Sequence, residues 1–339
     1  MILNKQVEIF CGTGGVGKTT LAASRALYLA RQGKKVLLMT IDPSLRLKQL
    51  FNLKDHDAGS IMEAPKELVA VDRGCLNILL MNNESTLKET LDQDPIKNHI
   101  LATLSMPYSG MNEILSLIEL QKHIESKAFD HIVLDTPPGK HFIDFIQSAE
   151  KIKHFFDKSF VRLFLSLGES NKSFFSTMIE GGIKKVLTYL EKVTGESFVE
   201  TFIDALITLF KRKDFFLAGL RTPVALENQV DTNWFLVFSV EQQKSQELKL
   251  MGKYLTQKTR SNKHLVINKS LKDELHSWNP KNSQLIDLKE SMLKRENALK
   301  VIEHGTYDQH LFFPEIIDIE PKVHMEKLCD CWHSHELIK

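Results

Sequence analysis

Residues 12–19 read Gly12-Thr13-Gly14-Gly15-Val16-Gly17-Lys18-Thr19, with Thr20 next. The spacing is a complete G-x-x-x-x-G-K-[ST], the pattern of a loop whose main-chain amides cradle phosphate. Its flanks agree. Ahead lies the apolar run Val7-Glu8-Ile9-Phe10-Cys11, which predicts a buried strand. Behind lies an Ala/Leu-rich helical pattern over 20–30, ending near Gly33. Strand, glycine loop and helix together aim backbone N–H groups and a helix N-terminus at a polyphosphate. The glycines at 12, 14, 15 and 17 permit positive φ and close approach of main chain to phosphate oxygens. Lys18 supplies a compact charge for the β- and γ-phosphates, and the Thr19 hydroxyl is placed to ligate Mg²⁺. Gly12, Thr13, Gly14, Gly15, Val16, Gly17, Lys18, Thr19 and Thr20 are therefore the candidate nucleotide contacts.

Two further segments complete a hydrolysis site. Ile41-Asp42-Pro43 closes a second predicted strand, and a carboxylate there sits beside the phosphate loop of a doubly wound sheet. Asp42 can orient or deprotonate an attacking water or hold the metal's shell; a turn aspartate before proline is the plainer alternative. Ile132-Val-Leu-Asp135 is an apolar strand ending in a carboxylate that holds Mg²⁺ directly or through water. The Pro- and Gly-rich residues 136–141 after it predict a loop with two defined shapes, suited to sensing a γ-phosphate. Thr19, Asp42 and Asp135 are the candidate metal ligands. Lys18, Asp42 and Asp135 are the candidate catalytic residues.

Strand-like runs at 7–11, 35–41, 76–81, 131–135, 234–240 and 264–268 alternate with helical patterns such as 113–126. This predicts an α/β fold built on a doubly wound, mostly parallel sheet. From 150 to 228 no strand is predicted, and eleven of the twenty phenylalanines fall between 155 and 216. Val199, Phe202, Ile203, Leu206, Leu209 and Phe210 keep helical spacing, as do Phe156, Phe160, Leu163 and Phe164. The expected organisation is a P-loop core over 1–149 and 229–339 with an inserted α-helical subdomain over 150–228. The insert's apolar faces either pack on one another or leave a groove for an apolar helix of another protein.

Composition sets the limits. The 339 residues are 42% hydrophobic and 26% charged, as in an ordinary globular protein. Forty-four basic against forty-three acidic side chains leave a net charge of +1, so no nucleic-acid partner is expected. No stretch approaches the roughly 18 apolar residues of a spanning helix, so no direct membrane insertion is expected. The first residues run straight into a predicted strand, so no signal peptide is expected. Cysteines 11, 75, 329 and 331 are too few and scattered for a disulfide framework, which fits a reducing, cytoplasmic setting. Cys329-Asp330-Cys331, followed by His333 and His335 in a terminal tail, departs from the usual spacing of zinc ligands.

The loop 12–20, Ile41-Asp42-Pro43 and Asp135-Thr136-Pro137-Pro138 resemble the ArsA-type branch of the signal-recognition-particle-like P-loop ATPases. That branch includes the arsenite-pump ATPase and the tail-anchored-protein targeting ATPase. The resemblance covers nearly the whole chain. It implies a Mg²⁺-dependent ATPase using ATP and ADP, working as a face-to-face homodimer, with the helical subdomain where relatives carry the part that responds to a protein client or a metalloid. Residues 40–50 look like the family's first switch and 135–141 like its second. Asn268 is similar to the strand-ending Asn that contacts adenine, and Pro314 resembles the proline that flanks the base. The chain also departs from the pattern. Relatives usually carry Lys at the position of Thr13, reaching the partner subunit's nucleotide. Threonine cannot supply that charge, which leaves Arg46, a further candidate catalytic residue, or Lys140 to do so. The Cys-x-x-Cys zinc clasp of the targeting ATPases and the clustered thiolates that arsenite needs are both missing.

Three readings follow. An energy-transducing ATPase releases phosphate without an acceptor. A small-molecule kinase on the same fold forms ADP only with a metabolite present. A nucleotide-gated binding protein turns over negligibly.

Overall fold

The computed structural model describes residues 5–41, 45–70, 74–92, 97–105, 112–139, 141–143, 145, 201, 204–205, 207–209, 211–219, 221–228, 231–240, 246–297, 307–318 and 320–337. In chain order the elements are β1 (Val7–Gly12), α1 (Lys18–Arg31), β2 (Lys35–Thr40), α2 (Leu45–Phe51), β3 (Ile61–Glu63), α3 (Lys66–Val69), β4 (Cys75–Leu80), α4 (Asn83–Leu91), α5 (His99–Ser105), α6 (Asn112–Ser126), β5 (His131–Asp135), α7 (Lys213–Gly219), α8 (Arg221–Asn228), β6 (Thr232–Ser239), α9 (Gln246–Lys258), β7 (Asn262–Ser270), α10 (Lys272–Ser277), α11 (Ser283–Asn297), β8 (Gln309–Pro314) and α12 (Pro321–Leu337).

The described strands form one sheet in the order β3-β4-β2-β5-β1-β6-β7-β8. Every pairing is parallel except that of β3 with β4. Strand order reverses around β1, and such a switch point opens a crevice at the strands' carboxyl ends. The phosphate loop leaves β1 there. β1, β5 and β6 are buried along their whole length, which explains their near-continuous apolar sequences. The six strands expected from apolar runs are present, with ends shifted by no more than two residues. β3 and β8 are not predicted by the periodicity.

The chain divides into two compact units. The first comprises Met1–Met81, His123–Phe145 and Val224–Lys339, and holds the whole sheet. The second comprises Asn82–Lys122 and Ile146–Pro223. In it Leu87, Leu91, Leu101, Leu115 and Ile118 share a small core with Leu209 and Phe216. Most of the expected insert over 150–228, including the Phe156–Phe164 pattern, lies outside the described residues.

Residues 321–337 correct one expectation: the segment read as a terminal tail is a 17-residue helix packed on α1. Its anchor is Trp332, fully buried, whose Nε1 donates to Ser24 Oγ at 2.9 Å. The Trp332 ring also lies 5.0 Å from the guanidinium of Arg25. Arg25 in turn forks onto Glu8 of β1, with Nε to Oε2 at 2.8 Å and Nη2 to Oε1 at 2.9 Å. Both charges are fully buried, and a buried pair of this kind holds only because both partners are satisfied. Among the described residues no helix is long and apolar enough to cross a membrane.

Candidate functional site

Parallel pairing brings three sequence-distant segments together at the mouth of the sheet. Register places Phe10 beside Asp135 and Thr40 beside Asp135, so the ends of β1, β2 and β5 are level. The Asp135 carboxylate, 3% exposed, is the hub. Thr19 Oγ1 donates to its Oδ2 at 2.7 Å, and Thr40 Oγ1 donates to the same oxygen at 3.3 Å. Lys18 Nζ stands 3.8 Å from Oδ1. Ammonium, hydroxyl and carboxylate thus converge as the motif spacing predicts.

The loop itself is built to present backbone. Gly14 and Gly15 are exposed while Thr13 and Val16 are buried, so the chain turns its peptide groups outward and its side chains inward. Gly15 and Gly17 have left-handed φ of 78° and 87°. Thr20 is buried on α1, and Arg46 Nε reaches its Oγ1 at 3.5 Å, which lays the first turn of α2 against the loop's exit. Asn268, expected at adenine, is tied to the loop: its Nδ2 donates to Val16 O at 2.8 Å. Pro314 closes β8 and pairs with Ser270, so the ends of β7 and β8 border the same rim. Asp42 and Lys140 lie outside the described residues.

The donor set suits a hard cation and a polyphosphate. The hydroxyl of Thr19 and the carboxylate of Asp135 are oxygen ligands of the kind Mg²⁺ prefers, and Lys18 is the compact cation beside them. Cys11 belongs to the core: burial drives its thiol pKa far up, the opposing charge of Lys18 being the smaller influence, and its Sγ faces Phe235 O. At the other end, Cys329 is buried on α12, Cys331 is half-exposed, His333 is exposed, and His335 meets Phe312 O through Nε2. Residues two apart on a helix point to different faces.

Three contributors lie within the switch segments 40–50 and 135–141, but the sequence assigns none of them a contact of its own. Thr40 reaches Asp135 only through strand register. Thr136 donates both N–H and Oγ1 to Phe10 O, at 3.2 and 2.8 Å. Gly139 N donates to Gly12 O at 2.9 Å, which ties the loop after β5 to the start of the phosphate loop.

Comparison with known proteins agrees with this geometry. The profile of a family described as Anion-transporting ATPase matches residues 5–312. The chain is similar to the ATPase GET3 of Komagataella phaffii, at 33% identity over 157 residues covering 43% of this chain and 45% of the relative. It is similar to the ATPase get3 of Aspergillus terreus, at 31% over 143 residues, covering 40% of this chain and 41% of that one. The ATPase GET3 of Phaeosphaeria nodorum is 30% identical over 139 residues, covering 40% of this chain and 43% of that one. The matched stretch thus spans less than half the length of these relatives.

Proposed function

The chain belongs to the anion-transporting ATPase family, and on that premise we propose that it binds ATP with Mg²⁺ at residues 12–20 and hydrolyses it. The observation that carries this reading is the convergence of Lys18, Thr19 and Asp135 at the mouth of the sheet. Lys18 offsets phosphate charge, and the amides of the loop stabilise the charge that develops on the transferred phosphoryl group. Thr19 and Asp135 would hold Mg²⁺, which would supply charge neutralisation at the phosphates. Asp42 orients the attacking water. Arg46, resting on Thr20, supplies the positive charge that Thr13 lacks. Asn268 and Pro314 receive the adenine side of the nucleotide. The protein acts in the cytoplasm as a homodimer that closes on ATP and reopens with ADP, and the helical segment over 150–228 passes that change to a protein client.

A nucleotide-gated binding protein with slow turnover is the second reading. Thr13 favours it: the side chain is 3% exposed and carries no charge to lend to a partner's nucleotide.

Phosphate release without an added acceptor tests the first reading. Wild-type protein with Mg²⁺ is expected to release phosphate, and Asp135→Asn to lose at least about 100-fold in rate. Release that ignores the substitution, or that needs a metabolite acceptor, contradicts it. Turnover confined to the presence of a protein partner supports the second.

A further inference from the structure

The loop that follows β5 is fastened at both ends. Thr136 is bound twice to Phe10 O. Phe142 is fully buried, its ring edge-on to Trp234 with centroids 6.0 Å apart. Between them Gly139 is left-handed, with φ of 52°. Its N–H is spent on Gly12 O and its carbonyl accepts from Phe142 N at 3.2 Å. The remaining face of the glycine is also occupied: the Glu247 carboxylate stands where a Cβ would be, with Cδ 3.0 Å from that position.

Glu247 lies in the first turn of α9. That helix follows β6, whose Val237 is in register with Gly12. One point therefore joins the first residue of the phosphate loop, the pivot of the loop after Asp135, and the start of α9. We propose that Glu247 is a positioning residue: by covering Gly139 it holds the loop in the arrangement that keeps Asp135 and the phosphate loop in step. The inference rests on the ATPase reading. A plainer role, a carboxylate complementing the amide dipoles of a helix N-terminus, predicts a change in stability and nothing at Gly139.

Amide exchange of Gly139, followed by NMR in the nucleotide-free protein, separates the two. Glu247→Ala is expected to speed that exchange by about tenfold or more while amides in the middle of α9 keep wild-type rates. It is also expected to lower kcat for ATP by about tenfold with KM within about twofold, because a small misplacement remote from the reacting atoms costs rate more than binding. Glu247→Gln, which keeps length and shape, should recover most of the protection at Gly139. Should Glu247→Ala fold poorly, Glu247→Asp reports on the same contact, since it draws the carboxylate back from Gly139 while keeping a charge in the first turn of α9; the same exchange and kcat signature is expected. Wild-type exchange at Gly139 together with wild-type kcat in either folded variant overturns the proposal. Wild-type protein that neither binds nor hydrolyses ATP overturns the ATPase reading instead, while the exchange measurement still judges the contact.

Discussion

Gly17 shows how tightly single positions are specified. Its φ of 87° is left-handed, and the side-chain amide of Asn268 occupies the place a Cβ would take. Since Asn268 also binds Val16 O, the end of β7 clamps the loop just ahead of Lys18. Gly17→Ala must both strain the backbone and push the amide aside, at a cost of about 1–3 kcal/mol. Urea unfolding should show a lower midpoint at unchanged slope, and ATP affinity should fall with it. An unchanged midpoint would mean that the loop accommodates the methyl group and that the clamp is slack.

Among the elements, the C-terminal helix α12 packs on α1 over a buried charge pair. α12 covers α1 through Trp332, which fills the space over the Glu8–Arg25 pair and bonds to Ser24. Trp332→Ala opens a large cavity above a buried charge pair and should cost about 3–5 kcal/mol. Denaturant melts of the two proteins check this, and a loss below about 1 kcal/mol would show that α12 is a loosely attached element. This helix does carry a stripe, Met325, Leu328, Cys329 and Trp332 at i, i+3, i+4 and i+7 and all buried, but the Cys and His residues over 329–335 mask it in the sequence. Trp332 closes that inward face, where it meets Arg25 of α1. β3 is three residues long on an antiparallel edge, too short for any period to emerge. β8 alternates buried and exposed residues instead of running apolar, because it closes the sheet's other edge. By contrast, β1, β2, β5, β6 and β7 lie inside a parallel sheet, and burial on both faces wrote them plainly into the chain. The site divides the same way. Lys18, Thr19 and Asp135 follow from motif spacing, whereas Thr40 and Gly139 join it only through register and loop closure.

At the scale of the whole molecule, stability and ligand binding report on the same sheet. Burial pushes His264 of β7 down from its ordinary 6.5 to about 4; Asp308 opposes this, and Arg25 and Lys263 add to it. The ring stacks on Phe235 and faces Asn233 Oδ1. The unfolded chain takes up this proton near pH 6.5 while the folded one refuses it until about 4, so acid favours unfolding within that window. Stability should fall by about 3 kcal/mol between those limits and be untouched by this group above them. Urea unfolding across a pH series should be correspondingly flatter for His264→Phe, and equal slopes would exclude His264 as the cause. The central claim, a triphosphate cradled at residues 12–20, is tested most directly by titrating MgATP into wild-type protein and Lys18→Ala in a calorimeter. Saturable heat from the wild type and none from the variant is the expected result; no heat from either, or equal heat from both, contradicts it.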